Sequence, residues 1–409
     1  MNTETLLSQA NEFEQKIIEY RRFLHMHPET GFDLKITKEY VKNELIQMGY
    51  EPQECGKCGL IVLVGGRKPG KTFMLRADMD ALQIQEQADV EFKSLHEGKM
   101  HACGHDMHTA MLLGAARLLK QHEDEIEGTI KLCFQPSEET FEGSKDMIEH
   151  GSLKKPDVDA ALMIHVMAGM PMQAGSVIVC DGGVSAPAAD YFRIKIQGKG
   201  CHGAMPQVGI DPITIAAHII TALQELHARE LAMMDEAALT FGIMQAGQAE
   251  NVIPDTAELG GTLRTYDEEL RKTMKVRMQE ICDGIARAFR GSATVTFTSG
   301  CPTLFNNADL SENVTSYCKE LLGTSRAFST AQLKAMSPNA SSSKTVGSED
   351  FAYVSQEVPS IMLALAAGEP QNGYCYPQHH PMVKFDEAVL APGSCVYAYT
   401  AMRWLEEHK

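Results

Sequence analysis

At 409 residues, with 44% hydrophobic and 22% charged residues, the chain has an ordinary globular composition and length for roughly two to four domains, which excludes wholesale disorder. Its 37 Lys and Arg against 54 Asp and Glu leave a net charge of −17, the wrong sign for nucleic acid or an anionic membrane surface. Eleven scattered Cys, an odd number without a repeating framework, argue for a reducing, cytoplasmic compartment rather than a disulfide scaffold.

The N-terminal residues show no basic start before an apolar core, so no secretory signal is expected. The longest nearly apolar run, 159–172, is interrupted by His165, Gly169 and Pro171 and falls short of the ~20 residues a membrane span needs. Leu6, Ala10, Phe13, Ile17 and Tyr20 recur at steps of three or four, predicting one helix over 5–25. Short apolar runs at 60–64 and 72–77 predict strands. Met111, Leu112, Ala115, Leu118 and Leu119 suit a helix starting near His108, and strands follow at 129–134 and 160–164. This alternation predicts a parallel sheet in an α/β domain.

Texture changes at 181–187, a plausible linker. Beyond it Phe192, Ile194 and Ile196 alternate with polar residues, as in an antiparallel, half-buried strand. Asp211-Pro212 predicts a helix start with Ile213, Ala216, Ile220 and Leu223 buried. Strands at 239–245 and 256–266 precede a helix opening at Asp267, striped by Leu270, Met274, Met278, Ile281 and Ile285, and 294–297 alternates again. The order β-α-β-β-α-β is that of a ferredoxin-like sandwich, here inserted into a larger domain with a second linker at 299–307. The remainder returns to mixed α/β, with a polar, turn-prone patch at 337–343 and a buried strand at 360–366.

Residues 101–108 read His101-Ala102-Cys103-Gly104-His105-Asp106-Met107-His108, putting three His, a Cys and an Asp in eight residues just before a helix. Imidazole and thiolate suit borderline transition metals, and the short spacing lets one loop deliver several ligands. Asp78 and Asp80 follow the 72–77 strand, Glu138 and Glu139 follow 129–134, and His165 follows 160–164. Taken singly, such residues are turn or helix caps. Together they aim carboxylates and imidazole at the carboxyl ends of three strands, where open α/β sheets bind ligands. Cys55-Gly56-Lys57-Cys58 is read as packing, because a strand rather than a helix follows it and no second Cys pair completes a zinc knuckle.

These segments resemble the M20 metallopeptidase and amidohydrolase family, in its branch of hippurate hydrolases, aminoacylases and auxin-conjugate hydrolases. The carriers are Arg21-Arg22-Phe23-Leu24-His25, Leu75-Arg76-Ala77-Asp78-Met79-Asp80-Ala81-Leu82, the 101–108 block and Phe134-Gln135-Pro136-Ser137-Glu138-Glu139. His202, Asn251, Arg264 and Ser348-Glu349-Asp350-Phe351 continue the series in family order. The resemblance implies a zinc-peptidase-like α/β catalytic domain in 1–184 and 301–409, with a ferredoxin-like lid and dimerisation domain at 185–300. It implies two divalent metal ions per subunit, with zinc, manganese, cobalt or nickel compatible, on Cys103, His105, Glu139, His165 and His379. His379 is preferred to His380 because the family pattern reads His-x-Pro before Pro381. Glu138 becomes the general base, with Asp80 and His202 also counted as catalytic, and His202, Asn251 and Arg264 contact substrate. The implied reaction is hydrolysis of an N-acyl amino acid in a homodimer. A dipeptidase or carboxypeptidase is the alternative, and a metal-dependent binding protein that has lost catalysis is a third reading, disfavoured by the intact Glu138. Two departures stand out. Gln83 replaces a usual Pro, and Thr140-Phe141-Glu142 replaces a small, Gly-rich stretch, bulk that would reshape a substrate pocket.

Overall fold

The computed structural model describes residues 2–336 and 344–409, so the polar patch expected at 337–343 lies outside the described residues. The chain divides into two compact units, one of Met1–Ser185, Phe305–Ser343 and Glu349–Lys409, the other of Ala186–Leu304 and Lys344–Ser348. The fold class is α/β, as expected.

The first unit is built on an eight-stranded sheet. Its order is Gln53–Cys55, Gly59–Gly65, Thr129–Gln135, Thr72–Asp78, Ala160–Met167, Ser360–Ala366, Val177–Val179, Ala327–Ser329. The four central strands run parallel, and their near-continuous burial explains why they read as apolar runs. The flanks depart from the all-parallel expectation: Gly59–Gly65 pairs antiparallel with Thr129–Gln135, and Val177–Val179 antiparallel with Ser360–Ala366. The Gln53–Cys55 strand returns on Gly59–Gly65 through a tight turn, leaving Cys55 and Cys58 buried. Their thiols donate to the Met147 and Phe32 carbonyls, at 3.5 and 3.3 Å.

Two buried helices, His105–Gln121 and Leu390–Glu407, pack on each other and on the central strands. They approach closely because Gly114 faces Ser394 and Gly393 faces Met111; a Cβ at either glycine would lie 2.2 or 2.1 Å from those side chains. The Tyr397 hydroxyl ties the second helix to the sheet, donating to the Arg76 carbonyl at 2.8 Å and accepting from the Ile164 N–H at 3.1 Å. The single helix expected over 5–25 is two, Thr3–Glu12 and Glu14–Met26, interrupted at Phe13. The apolar stripe continues across the interruption, which is why periodicity does not reveal it. Among the described residues, no helix is long and apolar enough to cross a membrane.

The second unit is a four-stranded antiparallel sheet ordered Ala237–Ala246, Thr256–Thr265, Ala188–Gln197, Ser292–Cys301, covered by the helices Pro212–Glu225 and Glu268–Ala288. The chain order of these elements is β-α-β-β-α-β. Asp211 caps the first helix through the Ile213 N–H and Asp267 the second through the Leu270 N–H. The buried stripe of the first helix is Ile215, Ala216, Ile219 and Leu223, whereas Ile213 is 38% exposed. Ile213 and Ile220 lie next to the buried residues on this mostly apolar helix, and packing in one core with Phe192 and Leu259 selects Ile215 and Ile219 instead. Residues 344–348, placed by the sequence reading inside 301–409, group instead with this unit, where the Tyr266 hydroxyl donates to the Thr345 carbonyl at 2.6 Å.

Lys131 gives a test of how the first unit closes. Its buried ammonium donates to the carbonyls of Ser152, Lys154 and Pro156 at 2.9, 2.9 and 2.8 Å, gathering the loop before Ala160–Met167. Lys131→Met keeps the stem but leaves the carbonyls unserved, and should lower stability by about 2–4 kcal/mol. Thermal or denaturant unfolding measures this; an unchanged midpoint would show that the loop is held by something else.

Candidate active site

The carboxyl ends of the central strands carry the acidic residues. Asp78 ends its strand, and Asp80 lies just beyond, fully buried. The Asp80 carboxylate accepts the N–H groups of Glu138 at 3.0 Å and Glu139 at 3.2 Å, so one strand's acid shapes the turn that presents the next strand's pair. The expectation that His165 follows its strand is corrected. The strand runs to Met167, with His165 paired in register to Ala364, because alternation across Ile164-His165-Val166-Met167 continues past the apolar run.

Gly104, at φ 97°, turns the chain between Cys103 and the helix that begins at His105, three residues before the expected start. A Cβ there would lie 2.4 Å from Val166, so only glycine fits between the two donors. His105 directs Nδ1 to the Asp80 carbonyl at 2.8 Å, and His165 directs its own to the Val166 carbonyl at 2.7 Å, leaving both Nε2 atoms for the cluster. The His165 Nε2 is 3.5 Å from Cys103 Sγ, and the His105 Nε2 is 3.8 Å from Glu139 Oε1 and 3.9 Å from Glu138 Oε2. His379 closes the group at 3.5 Å from Glu139, its N–H anchored on the Ala102 carbonyl at 2.9 Å. His380 instead stacks on Tyr376 and accepts the Met382 N–H.

Cys103, His105, Glu139, His165 and His379 thus offer sulfur, imidazole and carboxylate donors in overlapping groups whose ligand atoms lie within 4.8 Å of one another. His105 Nε2 and Glu139 Oε1 are buried without a hydrogen-bond partner, which a bound cation would correct. The electrostatics agree. Burial opposes the Cys103 thiolate, yet His165 and His105 draw its pKa down to about 6. Burial likewise opposes a charged His165, but Cys103 pulls its pKa up to about 9. Contacts with Cys103 and Glu139 lift His379 to about 10. The two raised imidazoles record the anionic Cys103 and Glu139 beside them, and the lowered thiol records those imidazoles in turn.

Two other groupings, Asp78 with His105 and His108 and Glu138 with Glu349 and Asp350, are tied into the protein's own ion pairs and hydrogen bonds. Arg76, fully buried, reaches Asp78 at 2.7 Å, Asp350 at 2.8 Å and Glu349 at 2.9 Å. His108 accepts the Val166 N–H on Nε2, which fixes its proton on Nδ1 for donation to Asp78 at 2.6 Å. Sequence reasoning quoted Arg76, His108 and Asp350 within motifs but gave them no role. Asp350 also accepts from Gln135 and the Ser144 N–H, and its own N–H donates to Glu138 Oε1 at 3.3 Å. Glu138 therefore has one oxygen held and the other, Oε2, facing His105. Burial, then Glu349, Glu139 and Asp350, push its pKa well above the usual carboxylate range.

A further buried network was missed as a unit. Arg21 Nε and His25 Nδ1 each meet Asp106 Oδ2 at 2.8 Å, and His25 Nε2 lies 3.2 Å from Glu86. It braces the first turn of the helix that carries His105. The available signal was Arg21 and His25 standing on the same helix face as the apolar Ile17, Tyr20 and Leu24.

In the second unit, His202 lies on the two-residue strand Cys201–His202, paired with Val252. Its neighbour Gly203 donates to the Asn251 carbonyl at 2.7 Å, so His202 and Asn251 share one hairpin-like junction. The His202 ring is exposed and accepts the Ala204 N–H at 3.1 Å. Arg264 lies on the Thr256–Thr265 strand and donates to Ser348 Oγ at 2.7 Å.

Residues 74–403 match the family model described as peptidase family M20/M25/M40. The chain is 35% identical over 397 residues to an N-acetyl-L-cysteine deacetylase of Bacillus subtilis (strain 168), covering 97% of this chain and 90% of that protein. It is 36% identical over 401 residues to the IAA-amino acid hydrolase ILR1-like 2 of Arabidopsis thaliana, covering 96% and 85%. A crystal structure of a dinuclear metal binding peptidase of the M20 family from Bacillus subtilis superposes with a TM-score of 0.78 at 31% identity, covering 97% of this chain and 99% of that one. With donors clustered at the sheet's carboxyl rim and relatives matched over nearly its full length, the chain belongs to peptidase family M20/M25/M40.

Proposed function

We propose that the protein is a metal-dependent amidohydrolase that cleaves N-acyl amino acids to a carboxylic acid and a free amino acid. Cys103, His105, Glu139, His165 and His379 hold two divalent ions, which polarise the acyl carbonyl and acidify water when bound. The observation that carries this reading is the placement of Glu138: Oε1 is fixed by the Asp350 N–H, while Oε2 lies free beside the orphaned His105 Nε2. A carboxylate so raised in pKa takes the proton of the attacking water and returns it to the departing amine. Asp80 holds both backbone N–H groups of the Glu pair, so its part in catalysis is positional. His202 stabilises the oxyanion, Asn251 contacts substrate, and the Arg264 fork pairs with the substrate carboxylate.

The relatives support the substrate class through their names, a deacetylase of N-acetyl-L-cysteine and a hydrolase of IAA-amino acids. A dipeptidase or carboxypeptidase is the second reading, favoured by the description of the similar crystal structure as a peptidase. A homodimer through the second unit is supported by its ten-residue edge strand Ala237–Ala246 and by the neighbouring Met233 and Met234, 97% and 86% exposed, an edge that proteins generally cover. Eleven scattered Cys support a cytoplasmic setting, and the charge of −17 argues against nucleic acid or anionic membrane as partner.

Metal-depleted protein, reloaded separately with zinc, manganese, cobalt or nickel, should regain hydrolysis of acetyl- or benzoyl-amino acids. Faster turnover of free dipeptides under the same conditions would move the assignment to the peptidase reading. Glu138→Gln should keep its metal yet lose at least ~10²-fold in kcat, and near-normal turnover would remove Glu138 as the base. Cys103→Ser should lower the metal content found by elemental analysis; full occupancy would exclude Cys103 as a ligand.

A further inference from the structure

Burial holds His379 far less than it holds His105: its side chain is 54% exposed, against 1%. Its φ of 63° is also left-handed. Gln378 and His379 are the two central residues of a tight turn, closed by the His380 N–H on the Pro377 carbonyl at 3.3 Å. A positive φ at the second central position is taken most readily by glycine or asparagine. A histidine persists there only where its surroundings hold it.

Two bonds do so. The His379 N–H donates to the Ala102 carbonyl at 2.9 Å, which ties the turn to the residue before Cys103. The Gln378 amide nitrogen donates to the Val166 carbonyl at 2.8 Å, with the Met167 sulfur 3.4 Å away. That same carbonyl accepts from His165 Nδ1 at 2.7 Å, so its two lone pairs serve one imidazole and one amide. We propose that Gln378 is a positioning residue: it anchors the turn so that His379 joins Cys103 and Glu139 in one candidate metal grouping. The proposal deepens the two-ion reading and rests on His379 being a ligand. His165 keeps its own bond to Val166 without Gln378, so the grouping of Cys103, His105 and His165 should retain its ion.

The test titrates metal-depleted wild type, Gln378→Met, His379→Ala and the double variant with zinc against a chromophoric chelator. Methionine matches glutamine in length but donates nothing. Wild type should bind two ions, and Gln378→Met should weaken one of them by about 10–100-fold, the usual effect of removing an outer partner of a ligand. His379→Ala should weaken one ion at least as much, and the double variant no further, because Gln378 acts through His379. Wild-type affinity for both ions in Gln378→Met, with one ion weakened in His379→Ala, overturns this proposal alone. Equal weakening of both ions in Gln378→Met, with a lower unfolding temperature of its metal-depleted form, overturns it too, by marking Gln378 as a general prop of the fold. Wild-type affinity for both ions in His379→Ala removes His379 as a ligand, and this proposal with it.

Discussion

The constraint on which the rest of the first unit depends is the burial of negative charge at one rim of the sheet. Asp78, Asp80, Glu138, Glu349 and Asp350 are all buried, and Glu139 and Cys103 lie beside them. Isolated carboxylates in such surroundings would be prohibitively unstable, so each must be paired, hydrogen-bonded or neutralised. The protein answers in three different ways. Arg76 forms ion pairs with Asp78, Glu349 and Asp350 from within a central strand. Asp80 is satisfied by two backbone N–H groups. Cys103 and Glu139 are left to imidazoles, and two buried atoms there remain without a partner. The division separates a scaffold paired by its own groups from donors that a bound cation would complete.

That division also explains how adjacent glutamates take different parts. Glu138 turns toward Asp350, Glu349 and Arg76, where burial and like charge make its carboxylate more basic. Against the same burial, His379 and His105 hold the pKa of Glu139 down. The two are adjacent in sequence, and the left-handed residues on either side of them separate their surroundings. The irregular backbone here presents consecutive side chains to different partners, Glu138 to the Asp350 N–H and Glu139 to His379.

Legibility from sequence followed the range of the interaction. The central strands, the cap at Asp211 and the alternation in the second unit are local patterns, and the observed elements lie close to where those patterns put them. The carboxyl-rim convergence of Asp78 and Asp80 with Glu138 and Glu139 was legible because strand ends meet there by topology, whereas His165 lies within its strand. The bracing of Asp106 by Arg21 and His25 links residues more than 80 apart, and nothing local announces it. The Val177–Val179 flank was unreadable for another reason: at three residues it is too short for any pattern to mark it. On the Pro212–Glu225 helix four isoleucines, Ile213, Ile215, Ile219 and Ile220, surround one stripe, and which of them are buried belongs to packing rather than to periodicity.

The cysteines show most clearly that environment, not residue type, makes the site. Burial pushes Cys58 up to about 11, and Cys133, Cys180, Cys282, Cys318 and Cys395 up to about 12, which leaves them neutral packing groups. Cys103 is buried as well, yet its pKa falls to about 6, because His165 and His105 stand beside it and outweigh the same desolvation. A thiol becomes a thiolate here only because Gly104 lets the chain bend tightly enough to set Cys103 and His105 into one cluster with His165. One residue without a side chain thus lets its two neighbours face the same cluster, and it sits in the middle of the eight-residue block in which the sequence first suggests a metal.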